Sequence, residues 1–280
     1  MDLSKIYPER PEWVHKGNYG SVLVVAGSKL YSGSATFAGV SALRAGADLV
    51  TVISPARSAD VAAHTLPDLI TFPLKGDFLA ARHVSDVLDV AHLRRANSIV
   101  LGCGLGINVA TIAAIQKLIS KITVPMVLDA DAFRAIAQKP DVVSGKHVIL
   151  TPHAGELAVL LGTPDAKYGD LDSRVAAAKV AAQKYRAVVL VKGFVDVITD
   201  GTNLITNNSG TPFMTKGGFG DTLSGICGAL LARGVGLWEA AYAAAYINGK
   251  AGELASEKKG EGVVASDIFE TIPKAIRSSD

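Results

Sequence analysis

Cysteine is scarce in this chain, with two residues among 280. Cys103 and Cys227 lie among glycines and other small residues and lack the short spacing of a metal-binding pair. Both are predicted to be reduced thiols, as in cytoplasmic proteins. The first residues contain no apolar signal segment, and no uninterrupted apolar run reaches the roughly 18 residues of a membrane helix. We therefore expect a cytoplasmic protein without a membrane partner.

Charge is also sparse, at 19% of residues with a formal net charge of +2. No basic run is long enough to follow a phosphate backbone, so nucleic acid is not expected as a partner. Hydrophobic residues make up 49% of the chain, which at this length suits one α/β domain. We expect a single domain over residues 1–280, with residues 1–15 as a surface arm.

Short β-branched runs alternate with alanine-rich segments along the chain. The run at 22–26 is continuous, which predicts a strand buried on both faces. Further strands are predicted at 49–54, 98–101, 125–129, 148–150, 188–191 and 204–206, and 195–199 is predicted to be a hairpin partner of 188–191 because the gap is short. Helices are predicted after Ser34, from about Asn108 to Ser120, after Asp131, up to Leu161 and over 238–256. This alternation indicates a doubly wound, mostly parallel sheet with ligands at the strand carboxyl ends.

Three glycines precede an aspartate at the start of an apolar segment that has helical composition. Residues 216–221 read KGGFGD, and a run of small residues follows as far as Ala232. The amides of Gly218, Phe219 and Gly220 are predicted to form an anion hole at the helix N-terminus. Asp221, at or near the N-cap, would accept a proton from a hydroxyl that attacks a phosphoryl group. The alternative is an ordinary helix start in which Asp221 is only the cap.

A second glycine-rich turn, with Gly102, Gly104 and Gly106, follows the strand at 98–101. Its spacing is not G-x-G-x-x-G, and no acidic residue is placed to bind a ribose, so a hydride-transfer site is not expected. Either the turn contacts part of a ligand or it is a plain tight turn.

Polar residues follow three further predicted strands. Asp129 and Asp131 are two apart, so in an extended chain both would face one side and bind Mg²⁺; alternatively Asp131 caps the next helix and Asp129 alone faces the site. His153 and Glu156 share one helical face, where Glu156 would orient Mg²⁺ or water and His153 would bind a ligand; the alternative is a capping interaction. Lys192, followed by Gly193, is suited to lie along a diphosphate or forms an ordinary turn.

Together these motifs resemble the NAD(P)HX dehydratase family of the ribokinase-like superfamily. The matching segments are HKGNYG at 15–20, VVAGS at 24–28, GCGL at 102–105, LDADA at 128–132, TPHAGE at 151–156, KG at 192–193 and GGFGD at 217–221. The last of these is shared across the superfamily, whereas HKG with TPHAGE is what narrows the resemblance to the dehydratases. Other superfamily members usually carry Asn-x-x-Glu where this chain has 153–156, which argues against an ordinary sugar or vitamin kinase.

The resemblance implies repair of hydrated NADH or NADPH at the expense of ADP or ATP, with Mg²⁺. It implies Asp221 as the general base, a site for the hydrated dinucleotide at Ala35, Gly104, His153 and Asp221, and a site for the adenine nucleotide at Lys192, Gly193, Phe194, Val195, Asp196 and Gly220. Asp129 and Glu156 are the candidate magnesium ligands.

The resemblance also implies a homo-oligomer, such as a tetramer, that works with a separate epimerase. The epimerase domain that is often fused at the N-terminus is expected to be absent, because about 15 residues precede the first motif. Two other functions stay open: a ribokinase-like kinase for a small alcohol such as a vitamin precursor, and a nucleotide-sensing module without turnover, against which the presence of Asp221 argues.

Overall fold

The structure, a computed structural model, describes residues 1–277 and is built around a nine-stranded sheet. The strands are β1 (Ser21–Val25), β2 (Leu49–Pro55), β3 (Ile70–Leu74), β4 (Ser98–Leu101), β5 (Met126–Leu128), β6 (Val148–Leu150), β7 (Val188–Val191), β8 (Asp196–Thr199) and β9 (Leu204–Asn207). Their order in the sheet is β3-β2-β1-β4-β5-β6-β7-β8-β9. The strands from β3 to β7 are parallel, and β8 and β9 are antiparallel additions at one edge.

Helices cover both faces of this sheet. They are α1 (Ser34–Arg44), α2 (Ala56–Thr65), α3 (Val84–Leu93), α4 (Val109–Lys121), α5 (Ala132–Gln138), α6 (Ala154–Leu161), α7 (Leu171–Tyr185), α8 (Phe219–Ala232), α9 (Leu237–Lys259) and α10 (Ile272–Arg277). Val22 and Val24 pack in one core with α1, α8 and α9, whereas Leu23 and Val25 pack in a second core with α3, α4 and α7. Successive strand residues point to opposite faces, so the continuous apolar strands fill both cores. The doubly wound, single-domain α/β architecture is confirmed.

Helices α1 and α8 lie unusually close to each other. A Cβ placed on Gly225 would overlap the carbonyl oxygen of Ala38, so the two backbones are in direct contact. The small residues of α8 therefore serve packing against α1 as well as helix formation. This contact lies four residues, about one turn, beyond Ser34 in α1 and beyond Asp221 in α8. It brings the N-terminal turns of the two helices together at one edge of the sheet.

Some elements differ from the sequence prediction. Helices α2, α3 and α7 and strand β3 were not predicted individually. Helix α9 extends three residues beyond the predicted end, to Lys259, and β5 is shorter than 125–129. Within residues 1–15, which form no helix or strand, Leu3 and Ile6 are buried in the core that contains α1 and α8. Over residues 1–277 we find no helix whose length and apolar character would let it span a bilayer.

Candidate active site

The strand order reverses between β1 and β4, which creates a crevice at their carboxyl ends. From β1 the chain runs outward through β2 and β3 on one side and, from β4, through β5 to β7 on the other. Such a reversal is where open α/β sheets bind their ligands. The loops after these two strands meet there, because the Gly27 amide donates to the Cys103 carbonyl at 2.7 Å. Gly104 has φ +61°, and a Cβ on it would lie 2.5 Å from Ser34 Oγ.

Asp221 lies in the first turn of α8, beside this crevice. The N-cap of α8 is Gly218, with φ +100°, and the helix begins at Phe219. Asp221 is therefore the third residue of the helix and not its N-cap, so the alternative that treats it as an ordinary cap is wrong. Phe219 is buried in the core, whereas Gly220 faces the site. The amides of this first turn have no partner within the helix, which suits an anion.

Burial raises the pKa of Asp221 to about 7, and the nearby Asp129 carboxylate adds to this effect. The Ser34 hydroxyl, the Lys192 ammonium and the Cys103 thiol act in the opposite direction, because each stabilises the ionised form. A carboxyl group whose pKa lies near neutrality is suited to accept a proton and to release it again. The site thus contains, in the first turn of α8, a group with the properties of a general base.

Asp129 is almost completely buried, at 1% exposure, and its carboxylate accepts from four donors. Oδ1 accepts from Lys192 Nζ at 3.0 Å and from Thr151 Oγ1 at 2.8 Å, and Oδ2 accepts from Ser224 Oγ at 2.8 Å and from Cys103 Sγ at 3.5 Å. A carboxylate has about four lone-pair positions, and all of them are used here. The sequence-based assignment of Asp129 as a magnesium ligand remains a prediction, and these contacts argue against it.

The Lys192 ammonium occupies the space between two carboxylates. Its Nζ lies 3.0 Å from Asp129 Oδ1 and 3.6 Å from Glu156 Oε2. Although burial favours the neutral amine, the charges of Asp129 and Glu156 raise the pKa of Lys192 above its ordinary value. A Cβ on Gly220 would lie 3.3 Å from the same Nζ. The lysine is therefore a fixed cation next to the first turn of α8.

His153 and Glu156 form a reciprocal cap at the start of α6. His153 Nδ1 accepts from the amides of Gly155 at 3.0 Å and Glu156 at 3.3 Å, and Glu156 Oε2 accepts from the His153 amide at 2.8 Å. The capping alternative is thus observed. Burial raises the pKa of Glu156, while the Lys192 ammonium opposes this. The imidazole is 59% exposed and lies at the sheet edge, where His153 pairs with Lys192 in a parallel bridge.

Residues 192–195 connect β7 to β8 in a tight turn. The Gly193 amide donates to Asp196 Oδ1 at 3.0 Å, and Arg174 Nη1 donates to the Val195 carbonyl at 3.1 Å. Burial raises the pKa of Asp196 to about 6. The ring of Phe194 is 84% exposed, so it presents an apolar surface next to the turn. Arg174 was not identified from the sequence, because its contacts come from α7, a helix that was not predicted.

The prediction that Asp129 and Asp131 face one site together is wrong. Ala130, at φ +49°, turns the chain between them, and Asp131 accepts from the Gly106 amide at 2.7 Å. Asp131 occupies the N-cap position of α5 but makes no side-chain capping bond. Of the two predicted alternatives, the one in which only Asp129 faces the site is the observed one.

A thiol completes the buried cluster. Single ligand-type atoms of Cys103, Asp129 and Asp221 all lie within 4.8 Å of one another. Burial, followed by the charges of Asp221 and Asp129, raises the pKa of Cys103 well above its ordinary value, so the thiol stays protonated. A neutral thiol is a poor ligand for Mg²⁺, which prefers oxygen. Cys103, Ser34, Thr151 and Ser224 were not assigned to this site from the sequence, because small polar residues within or beside a motif do not reveal which side chain they contact.

The predicted site residues thus converge on one edge of the sheet. Gly104, His153, Lys192, Gly220 and Asp221 all lie at or just beyond strand carboxyl ends, around the Asp129 carboxylate. Ala35 lies in the first turn of α1 but has no exposed surface, so its assignment to the dinucleotide remains a prediction. A helix N-terminus, a fixed cation and a carboxyl group near neutrality at a switch-point crevice are suited to hold a phosphoryl group, and together with this sheet they define an α/β protein of the ribokinase-like class.

The chain belongs to a specific family within this class. A family model described as NAD(P)H-hydrate dehydratase matches residues 22–274. An ADP-dependent (S)-NAD(P)H-hydrate dehydratase from Cenarchaeum symbiosum is 36% identical over 283 residues, covering 100% of this chain and 96% of the relative. The resemblance drawn from the sequence motifs is confirmed.

Two further comparisons agree. A bifunctional NAD(P)H-hydrate repair enzyme from Methanothermobacter thermautotrophicus is 37% identical over 278 residues, which are 98% of this chain and 53% of the relative. The chain thus spans about half the length of the bifunctional relatives it matches. The solved structure of an ADP/ATP-dependent NAD(P)H-hydrate dehydratase from Bacillus subtilis, co-crystallized with ATP and Mg²⁺, has a TM-score of 0.84 at 26% identity and covers 99% of this chain and 96% of its own.

Proposed function

We propose that this chain is an ADP- or ATP-dependent (S)-NAD(P)H-hydrate dehydratase, a carbon–oxygen lyase that restores hydrated NADH and NADPH. The observation that carries the proposal is Asp221, a carboxyl group with a pKa of about 7 in the first turn of α8, beside the switch-point crevice. Family membership and the ADP-dependent relative support the choice of substrates.

The first step is phosphoryl transfer to the hydroxyl group on C6 of the hydrated nicotinamide ring. Asp221 accepts the hydroxyl proton as the oxygen attacks the terminal phosphorus of the nucleotide. The bond between that phosphorus and its bridging oxygen breaks, and AMP is the leaving group when the nucleotide is ADP. The amides of Gly218, Phe219 and Gly220 would stabilise the charge on the transferring group, since they lie at the N-terminus of α8.

The second step is elimination of phosphate. The lone pair on the ring nitrogen forms a second bond to C6 as the carbon–oxygen bond breaks and its electron pair leaves with phosphate, and loss of a proton from C5 to solvent then restores the dihydropyridine. Hydroxide is a poor leaving group and phosphate is a good one, so phosphorylation makes the dehydration feasible. The sum is hydrated NADH plus ADP giving NADH, AMP and inorganic phosphate, which balances as dehydration coupled to hydrolysis of ADP.

The two substrates are proposed to approach Asp221 from different directions. The adenine nucleotide would border Lys192, Gly193, Phe194, Val195, Asp196 and Gly220, with the exposed Phe194 ring near the base. The hydrated dinucleotide would border Ala35, Gly104, His153 and Asp221. His153→Asn keeps a side chain that can cap α6, so the start of this helix should be preserved. Because the imidazole is lost, KM for the hydrated dinucleotide should rise more than KM for ADP. The opposite pattern would reverse the two pockets.

Magnesium is proposed to arrive as the counter-ion of the nucleotide phosphates, which is how this ion commonly reaches phosphoryl-transfer sites. The ATP and Mg²⁺ of the Bacillus subtilis co-crystals support this view. Asp129 does not fit as a direct ligand, because its four lone-pair positions are used by protein donors. Glu156 remains the candidate carboxylate for an ion that comes with the nucleotide.

We further propose a homo-oligomer, such as a tetramer, acting in the cytoplasm on the epimer that a separate epimerase supplies. The bifunctional names of several relatives support the link to an epimerase activity. The alternative, a kinase that releases a phosphorylated small alcohol, is not favoured by the family of the chain.

The decisive experiment incubates the purified protein with hydrated NADH, Mg²⁺ and either ADP or ATP. We expect the absorbance of reduced nicotinamide to return, with AMP or ADP and inorganic phosphate formed in equal amounts. Accumulation of a stable phosphorylated alcohol without return of this absorbance would contradict the proposal and favour the kinase.

A further inference from the structure

We infer that Asp129 is a positioning residue that holds Lys192 as a fixed cation for the terminal phosphate of the nucleotide, in the place where a carboxylate-bound metal ion was expected. The inference rests on the proposed function for its ligand. Asp129 would affect catalysis through Lys192 and not through Mg²⁺.

The Asp129 carboxylate is saturated with donors from the protein. Lys192 and Thr151 donate to one oxygen, Ser224 and Cys103 donate to the other, and the residue is 1% exposed. A metal ion would have to displace at least one of these donors. A buried polar donor that loses its partner is costly, so the arrangement favours the protein contacts over a metal.

The charge of Lys192 already balances the two carboxylates next to it. The Lys192 ammonium lies between Asp129 and Glu156, at 3.0 and 3.6 Å, which is where a cation shared by these two carboxylates would lie. A buried carboxylate requires a partner of opposite charge, and the Lys192 ammonium already provides one. A divalent ion at the same place would be repelled by this ammonium. It would also take the carboxylates away from the ammonium, which would then lack its own partner.

The Lys192 ammonium also adjoins the first turn of α8. The Lys192 Nζ lies 3.3 Å from the position of a Cβ on Gly220, so it adjoins the turn whose amides form the proposed anion hole. An ammonium group has three donors. One donates to Asp129 Oδ1 at 3.0 Å, and Glu156 Oε2 lies at ion-pair distance, 3.6 Å, so a donor is left for a phosphate oxygen. Glycine at position 220 keeps the space between the ammonium and a phosphate clear.

Asp129→Asn is the informative substitution, because it removes the charge and keeps the shape. Its amide oxygen can still accept from Lys192 and Thr151. Its amide nitrogen would face Ser224 Oγ, which is free to donate instead to the Gly220 carbonyl that it already contacts at 3.0 Å. The variant therefore has a route to fold with Lys192, Thr151 and Ser224 still paired, and only the weak thiol donor Cys103 loses its acceptor, while the electrostatic anchor of Lys192 is lost.

The experiment measures the Kd for ADP and for AMP by calorimetry, in EDTA and across a magnesium titration. The proteins are the wild type, Asp129→Asn, Lys192→Met and the double variant, each checked by its thermal melt. We expect Asp129→Asn to weaken ADP binding about tenfold in EDTA, to weaken AMP binding less, and to leave the magnesium midpoint unchanged. In the Lys192→Met background the same substitution should have almost no further effect, because its target is absent.

Two results would overturn the inference. One is an Asp129→Asn variant that binds ADP normally in EDTA but needs more Mg²⁺ for tight binding, with the same effect in the Lys192→Met background; this is the behaviour of a metal ligand. The other is a Lys192→Met variant with wild-type ADP affinity in EDTA, which decides the matter even if Asp129→Asn does not fold. A wild type that does not bind ADP or restore NADH would instead contradict the proposed function.

Discussion

Asp129 and Asp221 bring carboxylate oxygens to within 4.8 Å of each other in a site that is largely buried. The two residues have different roles because their surroundings differ. Asp129 accepts from four donors, one of them the Lys192 ammonium, whereas Asp221 has mainly Ser34 and Cys103 as partners. Two carboxyl groups in one site, one held by four donors and the other with a raised pKa, are a common arrangement for acid–base chemistry.

The raised pKa of Asp221 predicts the acid limb of the pH–rate profile. The base must be ionised to accept the hydroxyl proton, so kcat/KM for hydrated NADH should rise with pH and level off above about 7. The measurement is initial rate against pH at low substrate concentration, in the direction of NADH formation. An acid limb centred near pH 4, the ordinary range for aspartate, would contradict the assignment of Asp221 as the base.

The same pKa predicts how Asp221 affects stability. Its value is raised from 3.8 to about 7 in the folded state, so the folded state binds the proton more tightly than the unfolded state. The contribution of Asp221 is therefore fully present below about pH 4 and is lost as pH rises through 7. The Asp221→Asn side chain stays neutral at every pH. Between pH 4 and pH 8, the difference in unfolding free energy between variant and wild type should therefore shift in favour of the variant by up to about 4 kcal/mol.

Denaturant unfolding of both proteins across this pH range measures the difference. The wild type and the variant should converge at acid pH and separate as pH increases. A constant difference at every pH would show that Asp221 has an ordinary pKa in the folded protein.

The backbone contact between α1 and α8 predicts a strong effect of Gly225→Ala. The added methyl group would overlap the Ala38 carbonyl, and the helices can separate only by loosening the core around them. We expect a loss of about 1–3 kcal/mol in unfolding free energy, which is typical of overpacking. Activity should also fall, because α1 and α8 carry Ser34 and Asp221. Gly169→Ala is the matched control, since a Cβ there meets nothing within 4 Å; equal stability of the two variants would refute the close contact.

The sequence predicted the central parallel strands well because they are continuous apolar runs buried on both faces. The prediction failed for β3, which is an edge strand in which Phe72 and Pro73 are exposed and Pro73 interrupts the apolar run. It also missed α7, where alanines are spread over the helix and mark no clear apolar face. In both cases the structure depends on neighbours that are distant in sequence, and local composition does not reveal them.

The candidate active site shows the same difference between features that local sequence reveals and contacts that depend on distant residues. Asp221, His153 and Lys192 were found because each follows a predicted strand or a glycine turn. The contacts of Asp129 were not found, since its partners Thr151, Lys192 and Ser224 lie 22, 63 and 95 positions away. Asp131 was misplaced because the positive φ of Ala130 ends the extended conformation on which the two-residue spacing depended. The chemistry of the individual side chains could thus be predicted from the sequence. Which side chains contact one another could be seen only in the folded structure.

Gly104 provides a local test of the crevice. Gly104→Ala would place a methyl group 2.5 Å from Ser34 Oγ, on the side of Asp221 where the hydrated dinucleotide is proposed to bind. KM for that substrate should rise at least about tenfold, while ADP affinity changes little, since a misplaced group in a site is costly. Gly106→Ala is the control because its backbone is also in the left-handed region, with φ +86°, but a Cβ there meets only Asn108 at 4.0 Å. Equal effects of the two variants would mean that backbone strain, and not the crevice, is responsible.

The final prediction concerns the chemical step itself. Asp221→Asn preserves the size of the side chain, and the helix start is provided by Gly218, so α8 should form normally. The amide cannot accept the proton of the C6 hydroxyl, and general-base contributions are typically about 10²–10⁴-fold in rate. We expect kcat to fall at least roughly a hundredfold, with the Kd for ADP nearly unchanged. Asp131→Asn is the control, since this carboxylate lies at the same sheet edge but bonds the Gly106 amide, and it should retain activity. An Asp221→Asn protein with near-normal turnover of hydrated NADH would rule out the mechanism, because no other carboxylate among the described site residues combines a pKa near 7 with a place in the first turn of α8.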